Sequence, residues 1–287
     1  KKSYRLLDNH LRNMDKKYNL ENNDRLYFNF IKANNLEKLN NLDQSLKIFK
    51  TIWIKYPRFK TKFISKKINA LSRKSNTQIS PNDLKLRLNS LFKNGMFKQF
   101  MKESKKVKDP DIKIMVALIK IQSQKRDEGR KTLEDISDGS FNSTGSNSRD
   151  FEIIAESLYQ LSIDDLRISD NNSKIARNLK SILKSYPDYS KNDSVAYLSA
   201  RLFTLDKNYL EAKEVYNWLI KTKSEDYLDD SFWGLGWSEY MLKNYQNALN
   251  YFSSLEHSNK PYYQSKGLYW MGRCLEKLGD SKKAMDN

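Results

Sequence analysis

In the last third of this chain, apolar residues recur at i, i+4 and i+7 from a fixed set of small residues, and the whole arrangement repeats. Lys207-Asn208-Tyr209-Leu210-Glu211-Ala212 aligns with Lys243-Asn244-Tyr245-Gln246-Asn247-Ala248 at an offset of 36; one step further reaches Ala284 and one step back reaches Ala176. Twelve residues before three of these alanines stands another small residue, Ala200, Gly236 or Gly272. Tyr216 and Phe252 follow their alanines by four residues, Leu219 and Leu255 by seven. Small residues facing each other across a turn let two antiparallel helices cross closely, and the aromatic and leucine carry the stripe into a core.

The spacing predicts first helices over Val195 to Leu205 and Phe232 to Leu242, and second helices over Tyr209 to Ile220 and Tyr245 to Leu255. Asp193-Ser194 and Asp230-Ser231 are the expected N-caps of the first helices. This helix-hairpin pattern resembles a tetratricopeptide-type repeat, whose usual period is about 34 residues. The fold class that follows is all-α, an α-superhelix or solenoid of helical hairpins, with no strand signal.

Upstream the template persists in weaker form. Ala33, Ser45, Phe49 and Pro57 take the relative places of Gly236, Ala248, Phe252 and a closing proline, and Ala117 with Gly129 keeps the twelve-residue spacing. Around Ala176, Asp164 replaces the small partner. Leu84 to Phe92 and Met96 to Met101 form a further hairpin across Asn94-Gly95, entered through a connector, Lys74 to Asp83. The expected organisation is degenerate, basic repeats over 1–189, a mobile Gly/Ser/Asn loop at about 137–150, and regular repeats over 190–287. Ala284 to Asn287 reads as the opening of an unfinished second helix, so further polypeptide is expected to follow. The start, Lys1-Lys2-Ser3-Tyr4-Arg5, carries no leader pattern and reads as a mature or trimmed terminus.

Charge changes the picture in the first half. Residues 1–150 hold 34 Lys+Arg against 16 Asp+Glu, whereas residues 151–287 hold 18 against 19. The excess is sharpest at Lys55, Arg58, Lys60, Lys62, Lys66, Lys67, Arg73 and Lys74, with no acid between Asp43 and Asp83. These eight residues are a candidate polyanion surface. A compositional bias toward Lys, Asn, Ile and Tyr accounts for part of the total, but not for the asymmetry between halves. Aromatic residues at 12% argue against disorder, and the longest apolar run, Ile114 to Ile119, is far short of the roughly 18 residues that span a bilayer.

Candidate chemistry is sparse. No HExxH, CxxC, GxSxG, GxxxxGK[ST] or GxGxxG occurs, so neither a metal nor a cofactor is expected. His10, His257 and Cys274 lack ligand spacing; His257 reads as a helix-end residue and Cys274 as a small core residue. The pairs Asp164-Asp165 and Asp229-Asp230 read as caps or solvated faces. Trp233, Trp237 and Trp270, with Tyr269, read as hairpin packing or as a sugar-binding face.

Tyr269-Trp270-Met271-Gly272-Arg273-Cys274-Leu275-Glu276-Lys277-Leu278-Gly279, with Phe232-Trp233-Gly234-Leu235-Gly236-Trp237 one repeat earlier, resembles the superhelical region of soluble lytic murein transglycosylases. The resemblance covers about residues 190–287; Tyr269, Trp270, Gly272, Arg273 and Gly279 are its motif residues. It implies a non-catalytic scaffold that positions anionic peptidoglycan glycan strands for a lysozyme-like domain further along the parent protein, in the periplasm or cell envelope of a Gram-negative bacterium. In that family the catalytic Glu lies in a Glu-Ser motif. Glu103-Ser104 and Glu156-Ser157 lack the Gly-x-x-Gln segment behind them, so no catalytic residue is expected here. The alternatives are a tetratricopeptide-type adaptor that docks other envelope proteins and a basic repeat that binds nucleic acid. The last is disfavoured as a partner because Tyr56, Phe59 and Phe63 fit the apolar stripe of a helix end.

Overall fold

A computed structural model describes residues 2–17, 20–139 and 148–280. It divides into two compact units, Lys1–Lys125 and Arg126–Asn287. The described residues are helices and turns, with no strand among them. The first unit comprises α1 (Lys2–Lys17), α2 (Asn22–Lys38), α3 (Leu42–Lys55), α4 (Thr61–Lys74), α5 (Pro81–Lys93), α6 (Phe97–Ser104) and α7 (Pro110–Gln122). The second comprises α8 (Arg126–Ser137), α9 (Ser148–Asp165), α10 (Asn172–Ser185), α11 (Asn192–Leu205), α12 (Tyr209–Lys221), α13 (Leu228–Met241), α14 (Tyr245–Ser253) and α15 (Pro261–Leu278), with 3-10 turns at Glu225–Tyr227 and Ser254–His257. Within each unit nearly all consecutive helices pack on one another, with α5 seated on α3, the all-α hairpin solenoid that the period predicts.

The hairpin turns share one chemistry. Asn40, Gly95, Lys207 and Lys243 adopt left-handed backbone, with φ of 67°, 67°, 60° and 64°. Each is followed by an N–H that donates to the carbonyl five residues back: Asn41 to Leu36 at 2.9 Å, Met96 to Leu91 at 2.9 Å, Asn208 to Phe203 at 2.8 Å and Asn244 to Glu239 at 2.9 Å. That bond closes the first helix and reverses the chain, leaving its last carbonyls satisfied.

The small residues sit where the hairpins cross. Ala33, Ala176, Ala200, Ala212 and Ala248 are fully buried. A Cβ on Gly236 would lie 2.6 Å from the Phe252 ring, and one on Gly234 would lie 2.2 Å from Tyr216, so these two positions admit no side chain without moving the aromatic. In the first unit the equivalent crossing is completed by a hydrogen bond, Ser45 Oγ to the Ala33 carbonyl at 2.8 Å, beside a fully buried Phe49. Ser199 Oγ donates to the Ala176 carbonyl in the same way, at 2.8 Å.

Several local expectations are corrected. The first helices begin earlier than their expected caps, at Asn192 and Leu228, which places Asp193 and Asp230 inside the first turn. A carboxylate suits the positive end of the helix dipole there. α5 starts at Pro81, where Ser80 and Asp83 form a reciprocal capping box. At the expected mobile loop, Ser137 closes α8 and Ser148 opens α9; residues 140–147 lie outside the described residues. So does the unfinished helix at Ala284 to Asn287.

One core cluster runs from Ala155 through Ala200 and Phe203 to Leu235, crossing residue 190, so the onset of sequence regularity is not a break in packing. In the first unit, Leu26, Leu46, Phe49 and Ile52 pack with the apolar line of α4, Ile64, Ile68 and Leu71. Arg87 is buried there too: it donates to the Trp53 carbonyl, lies 5.0 Å from the Trp53 ring and reaches Glu103 at 3.4 Å.

Candidate functional site

The acids of the two Glu-Ser pairs, Glu156 in the second unit and Glu103 in the first, are engaged by neighbouring side chains. Burial acts to raise the Glu156 pKa, but hydrogen bonds from Lys191, Tyr189 and Gln160 outweigh it and hold the carboxylate below its ordinary value. Lys191 Nζ is 2.7 Å away and Gln160 Nε2 is 2.8 Å away. A carboxylate held ionised by three donors cannot serve as a general acid. Glu103 is likewise engaged, with Arg87 and Gln99. Cys274 is fully buried, and burial lifts its thiol to about 11, which keeps it unreactive. His257 closes the second 3-10 turn. No group of three or more His, Cys, Asp or Glu side chains suited to a metal exists among the described residues.

Asp164 and Asp165 are neither caps nor a solvated pair. Asp164 is almost fully buried and receives Arg126 Nη2 and Arg130 Nη1, each at 2.8 Å, while Arg130 Nη1 also reaches Asp165 at 2.8 Å. Burial works to raise the Asp164 pKa, but the two guanidinium groups outweigh it and hold the carboxylate below its ordinary value. The carboxylate therefore joins α8 to α9 where other hairpins use a small residue. Asp229 pairs with Lys260 at 3.2 Å, and Asp230 accepts the Tyr197 hydroxyl at 2.9 Å.

What the second unit presents outward is a set of equivalent side chains on successive first helices. Tyr197, Trp233 and Tyr269 are separated by 36 residues, as are Arg201, Trp237 and Arg273. They occupy the same positions of α11, α13 and α15. Arg201 lies 5.6 Å from the Tyr197 ring, Trp233 and Trp237 stack at 6.0 Å, and Lys266 Nζ sits 3.4 Å from the Trp233 centroid. Tyr197, Trp233 and Trp237 are half-buried; Tyr269 is 61% exposed and Arg201 is exposed. Tyr197 is rigidly held, stacked on Tyr227 at 4.5 Å, and burial together with its bond to Asp230 lifts its hydroxyl to about 12. The 36-residue offset carries these columns in the sequence as it carries the small residues.

All three tryptophans take part in packing, with Trp233 at 5.4 Å from Phe252 and 6.1 Å from Trp270. Trp270 is packing: it contacts Trp237 and Tyr240 at 5.0 Å each, and Phe252 at 6.2 Å. Tyr269 meets Trp270 edge-on at 5.4 Å, its one ring pair among the described residues. Gly272 is helical within α15, Arg273 pairs with Glu276 at 2.7 Å, and Gly279 ends the helix with φ of 87°.

The eight basic residues of the first unit are brought together on and around α4. Lys55, Arg58, Lys60, Lys62, Lys66, Arg73 and Lys74 are exposed. Two are tied down: Lys67 to Glu37 at 2.6 Å, and Arg58 to the Asn94 carbonyl at 2.8 Å. Lys60 lies 4.5 Å from the Phe30 ring. A cavity of about 450 Å³ opens beside them between Tyr27, Lys55, Arg58, Phe59 and Asn94. In the second unit a cavity of about 750 Å³ lies between α10 and α12, floored by Leu183, Val215 and Trp218. Lys180 crosses it to Glu211 and Glu214, both at 2.6 Å, so its rim charges satisfy one another.

The hairpins, their crossings and their shared turns define an all-α fold of tetratricopeptide-like helical hairpins. The sequence profile of the tetratricopeptide repeat matches residues 266–287. That segment contains Tyr269 to Gly279, so what matches there is the general repeat, and nothing points to a lytic transglycosylase in particular. No curated protein matches the chain. Among solved structures, residues 41 to the end of MamA from Desulfovibrio magneticus RS-1 are similar at 14% identity and a TM-score of 0.44, over 62% of this chain and 89% of that one. The TPR domain of P58(IPK) aligns at 12% identity and a TM-score of 0.34, over 90% and 80%. A tetratricopeptide repeat protein from Parabacteroides merdae ATCC 43184 aligns at 13% identity and a TM-score of 0.35, over 90% and 89%. No helix among the described residues is long and apolar enough to cross a membrane.

Proposed function

We propose that the chain is a protein-interaction scaffold whose second unit docks a partner polypeptide on the outward face of α11, α13 and α15. The observation that carries this reading is the register of Tyr197, Trp233 and Tyr269 with Arg201, Trp237 and Arg273, three helices presenting an aromatic column and, beside it, a second column with arginine at two of its three places. Aromatic rings held in place by their neighbours offer large contact area at small entropic cost, and arginine beside them favours acidic or carboxylate-bearing segments. The saturated state of Glu156 and Glu103 supports a binding role over a catalytic one.

Site-specific photo-crosslinking in cells tests this. A photoreactive residue in place of Arg201 or Tyr269 is expected to yield adducts to one and the same protein, identified by mass spectrometry, while one in place of Arg177 on α10 yields none. Adducts at 177 equal to those at 201 and 269 overturn the assignment of the face. Retention on purified peptidoglycan sacculi without any protein adduct favours the murein-scaffold reading instead.

A further inference from the structure

We propose that the first unit carries a binding site for single-stranded nucleic acid, with Tyr27 as a stacking platform and Lys62, Lys66 and Arg73 following the phosphates. This goes beyond the protein-docking role and rests on a different unit. The first unit holds 30 Lys+Arg against 10 Asp+Glu, whereas the second holds 22 against 25. Lys62, Lys66 and Arg73 fall at i, i+4 and i+11 of α4, a single line about 16 Å long on the side opposite buried Ile64, Ile68 and Leu71. These three cations are exposed and form no ion pair among the described residues.

Aromatic surface accompanies the charge. Tyr27 on α2 is 55% exposed, and Phe63, a member of the helix-end stripe, is 43% exposed and so not taken up by it. The Tyr27 ring is fixed edge-on by Phe59, at 5.4 Å and 88°, and Phe30 packs on both Phe59 and Phe63. The cavity of about 450 Å³ beside Tyr27 has Phe59 in its wall, Asn23 and Asn94 at its edge and Lys55 on its rim. It is wide enough for one base. A ring to stack on, amides for a base edge and a row of cations form the combination that recognises an unpaired strand.

A duplex offers no unstacked base to the cavity. A bilayer surface fits less well because the outward line of α4 is basic and its apolar line is buried, the reverse of an interfacial helix.

The test is fluorescence anisotropy of the full chain with a labelled oligothymidylate about 16 nucleotides long. Binding is expected to weaken with salt, log affinity falling against log salt with a slope of about 2 to 4, as for three to six neutralised phosphates. Combined Lys62→Glu, Lys66→Glu and Arg73→Glu is expected to lower that slope by about 2 and the affinity by about 100-fold or more. Tyr27→Ala is expected to weaken binding about 5- to 100-fold at an unchanged slope. Circular dichroism verifies folding, and Lys62→Gln with Lys66→Gln replaces the charge reversal if that variant does not fold. Three results each overturn the proposal: no binding at low salt, full affinity in Tyr27→Ala, or stronger partition onto phosphatidylserine vesicles than onto the oligonucleotide.

Discussion

The two units solve the same crossing problem and then diverge outward. At Ala33, Ser45 and Phe49, and again at Gly236, Ala248 and Phe252, a small residue, a second small residue and a buried ring occupy equivalent places. Outside that triad the first unit displays lysines on α4, and the second displays an aromatic column on α11, α13 and α15 with Arg201 and Arg273 beside it on α11 and α15. The difference teaches that packing residues fix the hairpin while outward positions are free to be written separately for each unit. What a repeat binds is therefore read from its outward residues.

Three measurements break or sharpen this comparison. Phe49→Ala and Phe252→Ala should each cost about 3–5 kcal/mol, because both rings are fully buried at a crossing. Urea titrations that show one variant near wild type would mean that the crossings are not equivalent. Asp164→Asn should cost about 2–3 kcal/mol, reduced from the fully buried case because Arg126 and Arg130 keep part of their exposure. The sign with pH follows from the lowered pKa of Asp164. The unfolded chain takes up that proton near the ordinary value of about 4, before the folded protein does, so this contribution is complete above that pH and fades as pH falls through the folded value. Thermal melts of Asp164→Asn should accordingly lose part of the wild-type drop in acid. Ser80→Ala, which removes half of the α5 capping box, should cost about 1 kcal/mol and act on the first unit alone. A cost near zero would show that Pro81 and Asp83 suffice to start α5.

The hairpin logic was legible because it depends on spacing along the chain: Ala33, Ala200 and Gly236 mark crossings, and Phe49, Tyr216 and Phe252 fill them. Features that depend on partners one repeat away were not. Asp164 reads as a surface acid until Arg126 and Arg130, 38 and 34 residues upstream, close over it. Asp230 reads as a cap until Tyr197, on the preceding first helix, supplies a hydroxyl. Tyr27 is hidden for the same reason: the lysine cluster begins nearly thirty residues later, and contacts made in the fold, Tyr27 and Phe30 on Phe59, Phe30 on Phe63 and Glu37 on Lys67, bring α2 beside it.

The ties between hairpins have a consequence for how the chain acquires its structure. Lys50 meets Asp83 across 33 residues, Asn172 meets Asp206 across 34 and Tyr197 meets Asp230 across 33. Each closes a loop of about one period, so the entropy lost in bringing partners together is small and nearly equal at every step. Such a chain can begin to fold at any hairpin and zip to its neighbours, with fast, locally nucleated kinetics in each unit. Hairpins with a neighbour on one side only should open first, and their amide protons should exchange ahead of those in α11 and α12.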